Sequence, residues 1–218
     1  MQKLTIRFGK LILGLFLYAV GIVLTIRADI GYGPWEAFHA GLSSVSGISI
    51  GNASILVGLA IIAITLIMGE KIGLGTVLNM VLIGLFIDLL LVDGLLPKAG
   101  NIFLGLPLLL LGLYTIALGS YFYIGSGFGA GPRDGLMVVL TRRLKLPIGL
   151  IRSAIELTAT ISGWLLGGKV GIGTLIAGFA IGFCVQSTFR VLKFDPTQVS
   201  HSTLRESFKE ISAARARK

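Results

Sequence analysis

The chain has 218 residues, of which 54% are hydrophobic and only 13% charged, and its net charge is +9. A soluble domain usually carries about 25% charged residues, so this composition excludes an ordinary soluble protein and indicates one that faces lipid. The single cysteine, Cys184, excludes a disulfide within this sequence.

Six apolar runs follow one another along the chain, and each approaches the roughly 20 residues that a helix needs to cross the hydrocarbon core. Lipid offers the backbone no hydrogen-bond partners, and the runs lack the alternating polar residues of barrel strands, so they must be helices. The sequence therefore predicts an all-α membrane protein with six transmembrane helices, at 11–26, 53–68, 72–92, 102–124, 150–166 and 170–189.

An internal repeat appears when the chain is shifted by 98 residues, because residues 31–36 and 71–76 then fall on 129–134 and 169–174 without a gap. Each half holds three spans, an odd number, so the second half must start from the opposite side of the membrane. The sequence predicts two inverted three-helix repeats, over residues 1–98 and 99–193, followed by a polar tail over residues 194–218.

A short segment that begins at Gly-Pro lies between the first two spans of each half. About 12 residues of helix rise only ~18 Å, which is too short to cross a membrane. Proline suits the first turn of a helix, so we predict short re-entrant or interfacial helices over 34–46 and 132–144.

The basic residues lie mostly at the ends of the spans that face the same side as the N-terminus, with only Arg27, Lys98 and Lys169 on the other side. This bias predicts that both termini are cytoplasmic, and it explains the high net charge without a nucleic-acid partner. In the tail, Thr203 and Glu206 form a capping box before an apolar stripe. We interpret it as a basic amphipathic helix on the inner leaflet, with partner binding as an alternative.

Ionisable side chains within spans are costly and are candidates for a functional site. Arg152 and Glu156 lie four residues apart on one predicted helix, close enough to pair, and Asp88 has Gln186 as its repeat image. A structural pair and a structural carboxylate remain open alternatives. The repeat also maps Glu36 onto Asp134, so we predict a central cavity, a substrate or proton site, lined by Glu36, Asp88, Asp134 and Gln186, with Arg152 and Glu156 as further site residues.

Two Gly-rich motifs, Gly-Pro-x-acidic and Gly-x-Gly-Thr, each occur twice and give each membrane face two helix starts. Helix starts can bind an anion or be capped by a carboxylate. The structural alternative is that the glycines permit turns and close packing while the threonines cap. The motif residues are Gly33, Pro34, Gly73, Gly75, Thr76, Gly131, Pro132, Arg133, Gly171, Gly173 and Thr174.

Segments 33–39, 131–137 and 166–174, together with Arg152 and Glu156, resemble the YczE branch of the YczE/YyaS/YitT-like bacterial membrane proteins. Glu36 stands where aspartate is frequent in that family. The resemblance implies a multi-pass protein of the bacterial cytoplasmic membrane, and it implies no particular activity.

Function is limited by what the sequence lacks: it has two histidines and one cysteine, and no metal-ligand cluster, nucleophile–base pair or nucleotide loop. We therefore expect neither an enzyme nor a cofactor. Inverted repeats, broken segments and buried charges favour a small secondary transporter or exporter of a small molecule or ion. The alternative is a membrane scaffold or regulatory protein without transport activity.

Overall fold

The computed structural model describes residues 2–92 and 95–215, and over these residues the chain is helical apart from turns and loops. The predicted all-α class is confirmed, and no strand occurs in the described ranges. Within these ranges nine α-helices follow in order: α1 Gln2–Arg27, α2 Pro34–Ser46, α3 Ile50–Ile67, α4 Leu74–Leu90, α5 Ile102–Gly125, α6 Pro132–Leu144, α7 Ile148–Leu165, α8 Ile172–Val191 and α9 Leu204–Arg215, with a 3-10 turn at Pro196–Gln198.

The chain is an integral membrane protein: Leu4–Arg27 of α1 and the whole of α3, α5 and α8 are long and apolar enough to cross a membrane. The prediction of six spans is supported for these four. Helix α4 is apolar but has only 17 residues. Helix α7 has 18 residues, and its charged Arg152 and Glu156 make it less apolar.

The helix bounds recur along the chain at the spacing found in the sequence. Helices α6, α7 and α8 each begin 98 residues after α2, α3 and α4. The two short helices have the predicted bounds because proline occupies the first turn of each, and a residue in left-handed conformation follows its end. These residues are Gly47 at φ 74° and Lys145 at φ 55°.

Helices α1 and α5 cross in antiparallel orientation through paired glycines. A Cβ at Gly14 would lie 2.9 Å from the carbonyl oxygen of Gly119, and a Cβ at Gly21 would lie 2.6 Å from that of Gly112. Small residues let the two backbones approach this closely. Gly112 is the repeat image of Gly14, and Gly119 is that of Gly21. Gly14 therefore contacts the image of Gly21, and Gly21 contacts the image of Gly14.

Two loop–helix junctions repeat the same reciprocal pattern. The Gly75 N–H donates to the carbonyl of Phe128 at 2.7 Å, and the Gly173 N–H donates to the carbonyl of Ile30 at 2.8 Å. The loop after α1 therefore binds the start of α8, and the loop after α5 binds the start of α4. Unpaired backbone N–H groups at the starts of α4 and α8 thus find hydrogen-bond acceptors in the opposite half of the sequence.

Helices α3 and α4 pack closely, whereas the equivalent helices α7 and α8 do not. A Cβ at Gly51 would lie 2.1 Å from the carbonyl oxygen of Gly84. The repeat images of these two glycines, Gly149 and Gly182, would each have open space within 4 Å of a Cβ. We call the first arrangement the α3–α4 contact and the second the α7–α8 cleft.

The tail docks on the rest of the chain through backbone and ionic contacts. The Ser202 N–H donates to the Gly127 carbonyl, and the Leu204 N–H donates to the Ile72 carbonyl, both at 2.9 Å. Arg7 of α1 pairs with Glu210 of α9 at 3.0 Å. The predicted helix is present, and its first turn is tied to the loops before α4 and α6.

Candidate functional site

A cavity of about 160 Å³ lies between the starts of the two short helices and is walled by parts of α1, α3, α4, α5, α7 and α8. Both Gly-Pro motifs reach it, so the paired segments that the sequence singled out meet at one place. The charged side chains in its wall are Glu36, Arg133, Asp134, Arg152 and Glu156.

Glu36 and Arg133 face each other across the two halves. Each lies in the first turn of its helix, because the helices begin at Pro34 and Pro132. The guanidinium Nη1 of Arg133 is 3.9 Å from Glu36 Oε1, and its Cζ lies 4.4 Å from the ring centroid of Trp35. Arg133 is thus held by a loose ion pair and an aromatic face, both from the other half.

Asp134 occupies the same position in α6 as Glu36 does in α2, but its contacts differ. Its Oδ2 accepts a hydrogen bond from the Tyr123 hydroxyl at 3.1 Å. Within the described ranges no Lys or Arg nitrogen lies within 4.0 Å of this carboxylate. The repeat image of Arg133 is Trp35, which has no charge to offer Asp134.

Arg152 and Glu156 form the predicted pair on α7, with Arg152 Nε 3.1 Å from Glu156 Oε1. The expected pairing is present, and both side chains line the cavity. Arg152 also lines the α7–α8 cleft, where its side chain is 53% exposed. It therefore lies between the cavity and the cleft.

Asp88 and Gln186 do not line this cavity, so the prediction of one cavity shared by all four residues is wrong for these two. Asp88 instead caps the start of α3, where its Oδ1 accepts from the Gly51 N–H at 2.8 Å and its Oδ2 accepts from the Ser49 hydroxyl at 2.5 Å. Gln186 lines the α7–α8 cleft, an opening of about 510 Å³. The two images thus occupy equivalent positions in α4 and α8 but have different surroundings.

The Gly-x-Gly-Thr motifs lie at the loop junctions rather than in the cavity wall. Thr76 Oγ1 accepts from the Gly73 N–H at 3.1 Å and donates to the Ala130 carbonyl at 2.7 Å. Thr174 Oγ1 accepts from the Gly171 N–H at 3.0 Å. These contacts favour the structural interpretation of Gly73, Gly75, Thr76, Gly171, Gly173 and Thr174, whereas Gly33, Pro34, Gly131, Pro132 and Arg133 line the cavity.

His39 is a cavity residue that the sequence argument missed. It is 2% exposed, and its Nε2 is buried with no hydrogen-bond partner in the described part of the chain. The signal was its spacing: His39 follows Glu36 by three residues, which places both on one face of α2. Tyr123, which is also absent from the predicted site, supplies the hydroxyl for Asp134.

Comparison with known proteins gives relatives but no solved structure that matches. Residues 5–190 match the family of unknown function DUF6198. The uncharacterized membrane protein YczE of Bacillus subtilis (strain 168) is 34% identical over 187 residues, which cover 85% of this chain and 86% of YczE. An uncharacterized protein of Haemophilus influenzae is 31% identical over 182 residues, covering 84% and 83%.

The uncharacterized protein YyaS of Bacillus subtilis is more distant, at 28% identity over 174 residues, which cover 75% of this chain and 83% of YyaS. The resemblance to the YczE and YyaS proteins, inferred from the paired Gly-Pro motifs, is thereby confirmed.

Proposed function

The chain belongs to the family of unknown function DUF6198, and we propose that it is a small secondary transporter made of two three-helix halves of opposite orientation. The recurring helix bounds and reciprocal glycine contacts support this architecture. A twofold axis in the membrane plane makes contacts reciprocal: if one residue contacts the image of a second, the second contacts the image of the first. The 17 residues of α4 rise about 25 Å, which approaches the ~30 Å of the hydrocarbon core. Pairing between Arg152 and Glu156 lowers the cost of placing α7 in lipid.

The observation that carries the proposal is the difference between the α3–α4 contact and the α7–α8 cleft. Halves of similar sequence and opposite orientation can exchange conformations, which is the physical basis of alternating access. In one conformation the first pair is packed and the second is apart, as here. The exchanged conformation would pack α7 on α8 and separate α3 from α4.

The cleft is the proposed access to the cavity from one side, and its support is that Arg152 lines both. With the N-terminus in the cytoplasm, as the basic residues favour, the cleft opens to the cytoplasm and the α3–α4 contact closes the outer side. We place the protein in the bacterial cytoplasmic membrane with both termini inside. The substrate is then a small molecule or ion that binds in the charged cavity.

Reconstitution into liposomes tests this function. A panel of small cationic, anionic, zwitterionic and neutral solutes is offered across a solute or proton gradient, with protein-free liposomes as the blank. We expect saturable, gradient-driven flux of one class. Glu36→Gln and Asp134→Asn should reduce that flux, whereas Glu206→Gln in the tail should not, because Glu206 caps α9 and does not line the cavity.

Absence of flux for every class, with protein that remains monodisperse and folded, would overturn the transporter proposal. That result would favour the scaffold or regulatory alternative.

A further inference from the structure

The cavity wall contains three carboxylates and two guanidiniums. Arg152 pairs with Glu156, and Arg133 lies beside Glu36 and over Trp35. Among the described residues, Asp134 has the neutral Tyr123 hydroxyl as its side-chain partner. The side-chain charges of the cavity therefore do not balance, and the unbalanced group is a carboxylate at a known position.

A carboxylate in a low-dielectric site is costly unless a positive charge or hydrogen-bond donors compensate it. The start of α6 offsets part of the charge, since a helix N-terminus acts as roughly half a positive charge. The Tyr123 hydroxyl supplies one donor. A bound cation would supply the remaining compensation, and the cavity places it within reach of Asp134.

The rest of the wall distinguishes between kinds of cation. Metal ions such as Mg²⁺ or Ca²⁺ need six or more oxygen ligands, and the other two carboxylates of the wall, Glu36 and Glu156, already face Arg133 and Arg152. The buried Nε2 of His39 is a second polar atom without a partner, and with its proton on Nδ1 it accepts a hydrogen bond. The apolar wall residues include Ile22, Ile61, Leu113, Ile116, Met137 and Ile181.

The size of the cavity also limits the ligand. An apolar protein cavity of about 150 Å³ admits one benzene ring, and this cavity measures about 160 Å³. A charged head near Asp134 and a body of one ring or a short alkyl chain would fill it.

We propose that the cavity binds a small primary ammonium ion with an apolar body, whose N–H groups donate to the carboxylate of Asp134. This ion would be the substrate class of the transporter proposed above, and that role rests on the proposed function. The binding site itself does not, because binding can be measured without flux. Glu36 is not the anchor, because Arg133 already faces it.

Binding to the purified full-length chain in detergent tests the site with three probes of one shape. Benzylammonium carries the positive charge, benzyl alcohol is neutral, and benzoate is negative. Isothermal titration calorimetry should give benzylammonium an affinity at least tenfold higher than either of the others. Tenfold corresponds to about 1.4 kcal/mol, the lower range for a charge-assisted hydrogen bond.

Variants assign the affinity to Asp134. Asp134→Asn should weaken benzylammonium binding at least tenfold and leave benzyl alcohol unchanged, and Asp134→Glu should restore most of it. Tyr123→Phe keeps the carboxylate and removes its hydroxyl partner, so it should retain benzylammonium binding. This variant still tests the carboxylate as the anchor if Asp134→Asn does not fold. Glu206→Gln is the control outside the cavity.

Equal affinity for the three probes, preference for benzoate, or binding unaffected by Asp134→Asn would overturn the proposed site. Binding without flux in liposomes would leave the site standing and reject transport. Flux of another solute class without benzylammonium binding would support transport and reject the proposed ammonium site.

Discussion

The α3–α4 and α7–α8 helix pairs begin at equivalent positions in the two halves, yet one is packed and the other is apart. In the first pair Ser49 caps α3 and binds Asp88, which also accepts from the Gly51 N–H. In the second pair the equivalents are Pro147, which makes no side-chain cap, and Gln186. The shared pattern of small residues permits close packing in both halves, but only the first half has a carboxylate and a hydroxyl to hold it closed.

The largest effect should come from filling the α3–α4 contact. Gly51→Ala would place a methyl group 2.1 Å from the Gly84 carbonyl oxygen, so the helices must move apart, at a cost of about 1–3 kcal/mol. Thermal unfolding in detergent should give a clearly lower Tm. The matched control is Gly149→Ala, whose methyl group meets open space and should leave the Tm unchanged or slightly raised. Equal losses in the two variants would mean that the pairs do not differ in packing.

Removing the carboxylate from the same contact should have the next largest effect. Asp88→Ala leaves the Gly51 N–H and the Ser49 hydroxyl without their acceptor and should cost about 1–2 kcal/mol of stability. The image variant Gln186→Ala lies in the cleft and should cost less than about 0.5 kcal/mol. A larger loss for Gln186→Ala would place the closed pair in the wrong half.

The ends of the short helices could be predicted from sequence because they depend on local chemistry. Pro34 and Pro132 favour the first turn, and the i,i+4 spacing of Arg152 and Glu156 predicts their pairing without knowledge of the fold. The role of Asp88 could not be predicted in this way. A repeat establishes which residues are equivalent, but whether they face the shared interior depends on how each helix is rotated and packed.

His39 is the opposite case, a residue that lines the cavity and was not predicted to do so. A single histidine on an apolar helix face usually packs in a core, and nothing in the sequence marks its Nε2 as unpartnered. The packing of the two helix pairs was also hard to predict, because both halves carry the same glycines and the contact of Ser49 with Asp88 is seen only in the folded chain. It depends on tertiary contacts that the shared pattern allows but does not require.

A smaller effect should come from a cluster of charges that the proposed topology puts on the outer side with the α3–α4 contact. Asp29 binds Lys169 at 2.5 Å and Lys98 at 3.3 Å, which joins three loops. The hydrogen bond from Lys169 lowers the pKa of Asp29. Asp29→Asn keeps a residue that tolerates φ 58° and removes the charge, so it should cost about 0.5–1 kcal/mol near neutral pH.

The pH dependence of that loss follows from the lowered pKa. The stabilisation is present above the unfolded pKa of about 4 and is lost as the pH falls through the lower folded pKa. The Tm difference between wild type and Asp29→Asn should therefore be constant from pH 5 to pH 8 and shrink below about pH 4. A difference that grows on acidification would contradict the ion pairs.

The smallest effect should come from the tail on the opposite side. Arg7 and Glu210 are 33% and 42% exposed, and solvent screens such a pair, so Glu210→Gln should change stability by less than about 0.5 kcal/mol. The backbone bonds of Ser202 and Leu204 should keep the tail docked, as limited proteolysis of the two proteins would report. Rapid cleavage of the tail in Glu210→Gln alone would show that the ion pair holds it.

The most direct measurement of the central claim is cross-linking of both helix pairs in one molecule, on a Cys184→Ala background. Ser49→Cys with Asp88→Cys reports the α3–α4 contact, and their images, Pro147→Cys with Gln186→Cys, report closure of the α7–α8 cleft. With a short bifunctional thiol reagent, the first pair should cross-link readily and the second slowly, and no single molecule of the four-cysteine variant should carry both cross-links. Molecules with both cross-links would contradict exchange between the two halves.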